Sequence, residues 1–188
     1  IKRVISVNPD YKNVTELARK LYEEHGDWKN AIELAVNEGI RTDSVQWFLT
    51  LKTYVDNGVA GNIPSDYFEK PLITLYKMNQ PQFEQLLSSL WHSYEKEETF
   101  LQWIKTINHL FSNLEINNED NWDTTTLLFQ QAYHKLIRGQ YFIKKIDPLM
   151  PAFFKNWLNV ANEQQAPSIC GAILAWNDYL PSSLPAAL

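Results

Sequence analysis

The chain has 188 residues, of which 45% are hydrophobic and 13% aromatic, and it carries a formal net charge of −5 at pH 7. This apolar content is enough to build a folded core and excludes an intrinsically disordered protein. The acidic balance, with lysine and arginine scattered along the sequence, disfavours nucleic acid, which binds to basic surfaces. A single cysteine, Cys170, excludes an intrachain disulfide framework and favours a reducing compartment, so we expect a cytoplasmic protein.

Residues 1–12 alternate weakly between apolar and polar types before Pro9 indicates a turn, so we expect an extended lead-in. Three helices then follow, each predicted by a capping residue, an apolar stripe at helical spacing and a glycine at the end. The first is expected from Val14 to His25, with Gly26 just past its end. Its inward residues are expected to be Leu17, Ala18, Leu21 and Tyr22.

The second and third helices follow the same pattern. Asp27 caps the second helix, which Gly39 is expected to end, and the third is expected to begin at Thr42 or Asp43. Residues 58–65 are then expected to form a loop, the most flexible internal segment and the best candidate for a hinge.

The middle of the chain is also expected to be helical. A fourth helix begins either at Ser65 or, alternatively, with Pro71 as its first residue. A long helical stretch from Pro81 to Leu114 is interrupted by the charged residues 95–98, which indicate a solvated turn or a corner between two helices. Trp103 lies in the second of these helices, where apolar residues cover more than one face, so we expect it in the core.

Three further helices complete the chain. Asp123 caps the first, Asp147 precedes the second, and the last is expected from Pro167 to Pro181. The predicted fold class is therefore all-α, an antiparallel multi-helix bundle or a short helical-hairpin solenoid of eight or nine helices.

The short connections between helices predict a single all-α domain over residues 13–181, with a sub-boundary near residues 58–65. Residues 182–188 are expected to form a loose tail. No stretch approaches the ~18 consecutive apolar residues of a membrane span, so we expect none.

The titratable residues lack the spacing of a catalytic or metal site. The histidines do not show the His-x-x-x-His spacing of a helical zinc site, so we expect no metal and no cofactor. Cys170, near a predicted helix start, is either an activated thiol or a small buried hydrophobe, and the second is the ordinary interpretation. We therefore lean away from an enzyme. The histidines are His25, His92, His109 and His134.

Two acidic segments supply the candidate protein-binding residues. Trp122 stands in a polar loop away from any apolar stripe, so it is either a loop anchor or an exposed contact residue. Glu119 and Asp120 are its acidic neighbours, and Glu97 and Glu98 lie at the expected corner. All five are candidates for contact with a partner protein.

These observations predict a non-catalytic protein-binding module. We expect an adaptor, a chaperone-like protein or a regulatory subunit of a larger bacterial assembly, whose partner is another protein. That partner places a helix or extended peptide in a groove, or presents a basic surface. Two alternatives remain open. One is a small-molecule-binding or catalytic helical bundle with a pocket lined by tryptophan and histidine. The other is an immunity-type protein that neutralises a basic partner through an acidic face.

Overall fold

The computed structural model describes residues 13–117, 120–138 and 146–179, except for the side chains of Glu97 and Tyr179. These residues form nine α-helices and three 3-10 turns, and no strand occurs among them, which confirms the all-α fold class. The helices are α1 (Val14–Glu24), α2 (Trp28–Thr42), α3 (Gln46–Asp56), α4 (Glu69–Met78), α5 (Gln80–Ser93), α6 (Glu97–Asn113), α7 (Asp123–Arg138), α8 (Met150–Val160) and α9 (Ala166–Tyr179). The 3-10 turns are Ala60–Asn62, Ser65–Phe68 and Asp147–Leu149.

The chain divides into two compact units, Ile1–Tyr94 with α1 to α5 and Glu95–Leu188 with α6 to α9. The corner expected at residues 95–98 coincides with this division, whereas the sub-boundary expected near residues 58–65 lies inside the first unit. The single domain over 13–181 stays a prediction. The lead-in of residues 1–12 and the tail of residues 182–188 lie outside the described residues.

In the first unit, α1 packs on α2, α2 on α3 and α4, and α5 on both α3 and α4. The helices form because apolar residues recur at three- and four-residue spacing, and each such stripe must be covered. The core of this unit contains Ile32, Phe48, Leu51, Phe68, Leu72, Phe83, Leu87 and Trp91.

Residues 58–65 form a loop with a short 3-10 turn, as predicted, but the loop is packed against the first unit, which argues against its use as a hinge. Ala60 and Ile63 are buried, with 0% and 2% of their surface exposed. The Tyr94 hydroxyl donates a hydrogen bond of 2.7 Å to the carbonyl oxygen of Ile63. A Cβ atom on Gly61 would lie 3.1 Å from the Ser93 carbonyl oxygen, so the turn also passes close to the end of α5. Apolar residues in this short segment tie it to the core.

The end of α2 also differs from the prediction. Gly39 lies inside the helix, which continues to Thr42, and Asp43 ends it in the left-handed conformation with φ of 49°. Gly39 is instead required by packing, because a Cβ atom there would lie 2.5 Å from Cε2 of the buried Phe48 ring. Gly26, with φ of 68°, does occupy the predicted left-handed position after α1.

The buried face of α1 agrees only in part with the apolar stripe that we predicted, because Ala18 is buried as expected but two polar residues are buried beside it. Thr15, Ala18 and Arg19 face the core, while Leu17 keeps 59% of its surface exposed. The Arg19 guanidinium pairs with Glu16 and Glu23 on its own helix. Because the whole guanidinium is matched by carboxylates, an arginine can occupy a buried position on this helix.

In the second unit, α8 packs against α6, α7 and α9. Asn156 on α8 donates through Nδ2 to the Asn108 carbonyl oxygen of α6 at 3.0 Å, and Asn108 Nδ2 donates to the Leu149 carbonyl oxygen at 2.9 Å. Trp103 is fully buried, as expected. The aromatic core around α8 contains Phe111, Phe129, Tyr133, Phe153, Phe154 and Trp157.

Within the described residues, none of the helices combines the length and the apolar character that crossing a bilayer requires.

Candidate functional site

The second unit contains an open cleft of about 890 Å³ where two loops meet. One loop joins α6 to α7, and the other joins α8 to α9. The carboxyl end of α8 forms one wall and the amino end of α7 the opposite one. The cleft is lined by Leu114, Ile116, Asp120, Asn121, Trp122, Asp123, Leu158, Asn159, Val160, Ala161, Asn162 and Glu163.

The floor of the cleft is apolar and rests on the core through Trp122. This side chain is only 5% exposed, and its ring meets Phe111 edge-on with 6.0 Å between ring centres. Its indole Nε1 donates a hydrogen bond of 3.2 Å to the Asn117 carbonyl oxygen, which closes the loop onto the ring. Of the two readings of Trp122, the loop anchor is therefore correct and the exposed contact residue is wrong.

The two walls are fixed to each other at the base of the cleft. Thr126, in the first turn of α7, donates a buried hydrogen bond of 2.9 Å to the carbonyl oxygen of Val160, the last residue of α8. This bond satisfies a carbonyl that the helix itself leaves without a partner. Because it is buried, it holds the ends of α7 and α8 at a set distance.

The α8–α9 loop is shaped by its own side chains. Asn162 Oδ1 accepts hydrogen bonds from the backbone N–H groups of Gln164 and Gln165 at 3.0 and 3.1 Å. Gln165 Oε1 accepts in return from the N–H of Asn162 at 3.0 Å. The amide nitrogens of both side chains also approach Asp123 Oδ1, each at 3.4 Å, across the cleft. These bonds hold the Asp123 carboxylate at the rim.

The electrostatic character of the cleft is negative. Its described lining residues include three carboxylates, Asp120, Asp123 and Glu163, and no lysine, arginine or histidine. The carboxyl end of α8 adds the partial negative charge of its terminal carbonyl groups. Within the described part of the chain, no three His, Cys, Asp or Glu residues are placed to hold a metal ion together. The three carboxylates give the cleft the charge to attract positively charged groups.

No protein-family model, curated protein or solved structure matches the chain.

The structure distributes the five predicted contact residues over several places. Asp120 lines the cleft, and Trp122 forms its floor. Glu98 is exposed in the first turn of α6, where its negative charge interacts favourably with the positive end of the helix dipole. It does not line the cleft. Glu119 and the side chain of Glu97 lie outside the described residues.

The residues considered for catalysis are all on the surface. The four histidines are exposed, and each lies on or directly beside a different helix. His25 and His92 each place Nδ1 2.7 Å from the carbonyl oxygen four residues earlier, which is a local contact. Cys170 is exposed on α9, so the expected buried position of this thiol is wrong. Apolar residues occur on more than one side of α9, so the sequence did not indicate which side is buried.

Sequence reasoning missed the contribution of the α8–α9 loop. No role was predicted for Asn162 and Glu163, because nothing in their spacing relates them to the loop before Asp123. The only available signal was the polar run from residue 162 to residue 165 between two strongly apolar helices. The meeting of two loops about forty residues apart is a property of the fold.

Proposed function

We propose that the chain is a non-catalytic protein-binding module and that the cleft of its second unit receives a basic segment of a partner protein. The observation that carries the proposal is the charge of the cleft, which holds three carboxylates and no basic residue among its described lining. Opposite charge steers a partner toward such a site and fixes its register.

The shape of the cleft favours a peptide segment over a small molecule. Small-molecule pockets are concave and mostly apolar, and they enclose most of the ligand. Here the polar lining residues other than Asp120 are exposed, whereas the apolar floor residues Leu114, Trp122 and Val160 are buried. An exposed polar rim over an apolar floor suits an extended segment with lysine or arginine side chains. The charged groups of these side chains can lie at the rim while their aliphatic stems lie along the floor.

The partner chemistry follows from the presence of three carboxylates in the cleft. A segment with several lysine or arginine side chains carries several positive charges, which can pair with more than one carboxylate. An adaptor, chaperone-like protein or regulatory subunit working in the cytoplasm would use such a site to hold a partner. An immunity-type protein would use the same site to neutralise a basic partner, and it would then abolish that partner's activity.

The first test is affinity capture with a charge-neutralised cleft. We would compare the unaltered chain with the triple variant Asp120→Asn, Asp123→Asn and Glu163→Gln. Asparagine at position 123 keeps a side-chain oxygen that can accept the hydrogen bonds from Asn162 and Gln165. The matched control, Glu24→Gln, Glu33→Gln and Asp43→Asn, removes the same three charges from exposed sites in the first unit.

We expect a stoichiometric basic protein with the unaltered chain and with the control, and a loss of at least about tenfold with the cleft variant. Three partly exposed charge pairs worth about 0.5 kcal/mol each account for a loss of this size. Equal capture by all three chains would contradict the proposal.

A further inference from the structure

The two carboxylate oxygens of Asp123 differ in what they contact. Oδ1 accepts from the side-chain amide nitrogens of Asn162 and Gln165, each at 3.4 Å. Among the described residues, no group donates a hydrogen bond to Oδ2 and no basic side chain pairs with it. The carboxylate therefore offers a ligand one oxygen rather than a matched pair.

The carboxyl end of α8, on the opposite wall of the cleft, adds single acceptors. The carbonyl oxygen of Leu158 accepts from the Ala161 N–H, and that of Val160 accepts from Thr126. The carbonyl oxygens of Asn159 and Ala161 accept no hydrogen bond from the described part of the chain, and both residues line the cleft. The partial negative charge of the helix end is therefore carried by oxygens that are available to a donor.

These acceptors suit one of the two basic side chains better than the other. A guanidinium is a planar fork that binds most strongly to both oxygens of one carboxylate. An ammonium group directs its three N–H donors to acceptors at separate positions. Because Asp123 has one oxygen available and α8 supplies single carbonyl oxygens, the walls of the cleft match the ammonium group. Exposed Glu163 attracts either cation.

On the basis of the proposed function, we propose that the bound segment inserts a lysine whose ammonium group contacts Asp123 Oδ2 and the available carbonyl oxygens of α8. The unbranched stem of the lysine then lies along the apolar floor. Charge alone gives no such preference, since arginine is more weakly hydrated and pairs with carboxylates at least as well as lysine does. A preference for lysine would therefore come from the arrangement of acceptors.

Titration with two peptides of equal charge tests the proposal. Hexalysine and hexaarginine, each acetylated at the amino end and amidated at the carboxyl end, carry positive charge only on their side chains. Backbone amide shifts at residues 120–123 and 158–163 report binding in the cleft at low ionic strength. We expect hexalysine to bind there at least about threefold more tightly, the effect of one additional, partly exposed charged hydrogen bond.

Releasing Asp123 Oδ1 should shift the preference toward arginine. The double variant Asn162→Ser and Gln165→Ala removes both amide donors, while the serine hydroxyl can still accept from the backbone N–H groups of the loop. The matched control is Gln164→Ala in the same loop, because the exposed Gln164 side chain makes no hydrogen bond with a described residue. The ratio of the two affinities should change in the double variant and stay constant in the control.

The possible results separate this proposal from the proposed function. Cleft shifts with both peptides, but with hexaarginine bound as tightly as hexalysine or more tightly, would overturn the lysine preference and leave the basic-segment function standing. A constant affinity ratio in a double variant whose other amide signals are unmoved would overturn the role of Asp123 Oδ1. Absence of cleft shifts with either peptide would contradict the proposed function itself. The comparison on the unaltered chain is decisive if the double variant loses its loop structure.

Discussion

Gly39 and Gly171 are both glycines inside helices, yet their surroundings predict opposite effects of the same substitution. Gly39→Ala should destabilise the chain, because its new methyl group overlaps the buried ring of Phe48, and overpacking of this kind costs about 1–3 kcal/mol. Gly171→Ala should stabilise the folded chain by about 0.5–1 kcal/mol, because its new methyl group meets no atom and alanine favours the helix. Urea unfolding of the two variants at low protein concentration measures both changes. A stabilising Gly39→Ala would show that Phe48 does not pack on α2 as described.

Trp122 also has a testable role at the residue scale. An exposed contact residue would leave the stability unchanged on substitution, whereas the buried ring on Phe111 predicts that Trp122→Ala costs about 3 kcal/mol. Thermal or urea unfolding followed by circular dichroism measures this difference. A loss below about 0.5 kcal/mol would restore the exposed reading and remove the floor of the cleft.

At the scale of single elements, the first unit uses polar contacts to attach its first helix. Tyr54 on α3 donates a hydrogen bond of 2.5 Å to Glu23 on α1, and Glu23 also pairs with Arg19. Burial alone lowers the pKa of Arg19, but its bonds to Glu16 and Tyr54 and the charge of Glu23 raise that pKa overall. The Arg19 hydrogen bond lowers the pKa of Glu16 against the smaller effect of burial. The pair of Arg19 and Glu16 on α1 is therefore charged at neutral pH.

The buried tyrosines predict how stability depends on alkaline pH. Burial, assisted by Glu23, raises the pKa of Tyr54, and burial together with the charge of Asp66 raises that of Tyr94. Below pH of about 10, tyrosines are protonated in both states and the contribution is fully present. Above it, the unfolded chain loses protons that the folded chain keeps. Stability should then fall by up to about 1.4 kcal/mol per pH unit for each group, until the pH passes the folded-state pKa.

Unfolding in urea across pH 8 to about 11.5 measures this fall, which begins near the ordinary tyrosine pKa. The double variant Tyr54→Phe and Tyr94→Phe should have a shallower slope, although it is less stable at neutral pH because both hydrogen bonds are lost. An unchanged slope would mean that these two hydroxyls are open to solvent in the folded chain.

The helices themselves were predictable because their signals are local. Asp27 caps α2 through a hydrogen bond with the Asn30 N–H, and Gly26 takes the left-handed conformation, both as the residue types indicate. Which side of α1 faces the core was not predictable from the sequence. Arg19 can be buried there only because its charge is paired with Glu16 and Glu23. Gly39 misled for a similar reason, since its use depends on a ring from another helix.

At the scale of the whole molecule, the candidate site depends on which loops the fold brings together. The acidic loop before α7 was visible in the sequence, and Asp120 was chosen from it. The second loop of the cleft, which joins α8 to α9 and contains Glu163, lies about forty residues later. No pattern in the sequence indicated that it contributes to the site. Electrostatic attraction toward a net negative chain acts on every basic partner. We therefore predict that the partner binds at the cleft rather than at the general acidic surface of the chain.

The most direct measurement is a titration of the chain with a hexalysine peptide, followed residue by residue through backbone amide chemical shifts at low ionic strength. We expect the largest changes at residues 120–123 and 158–163, their loss in the triple cleft variant, and their persistence in the triple control variant. Rising salt should weaken them, because the charges are partly exposed. Changes spread evenly over exposed acidic residues such as Glu24 and Glu33, or changes that survive in the cleft variant, would contradict the account.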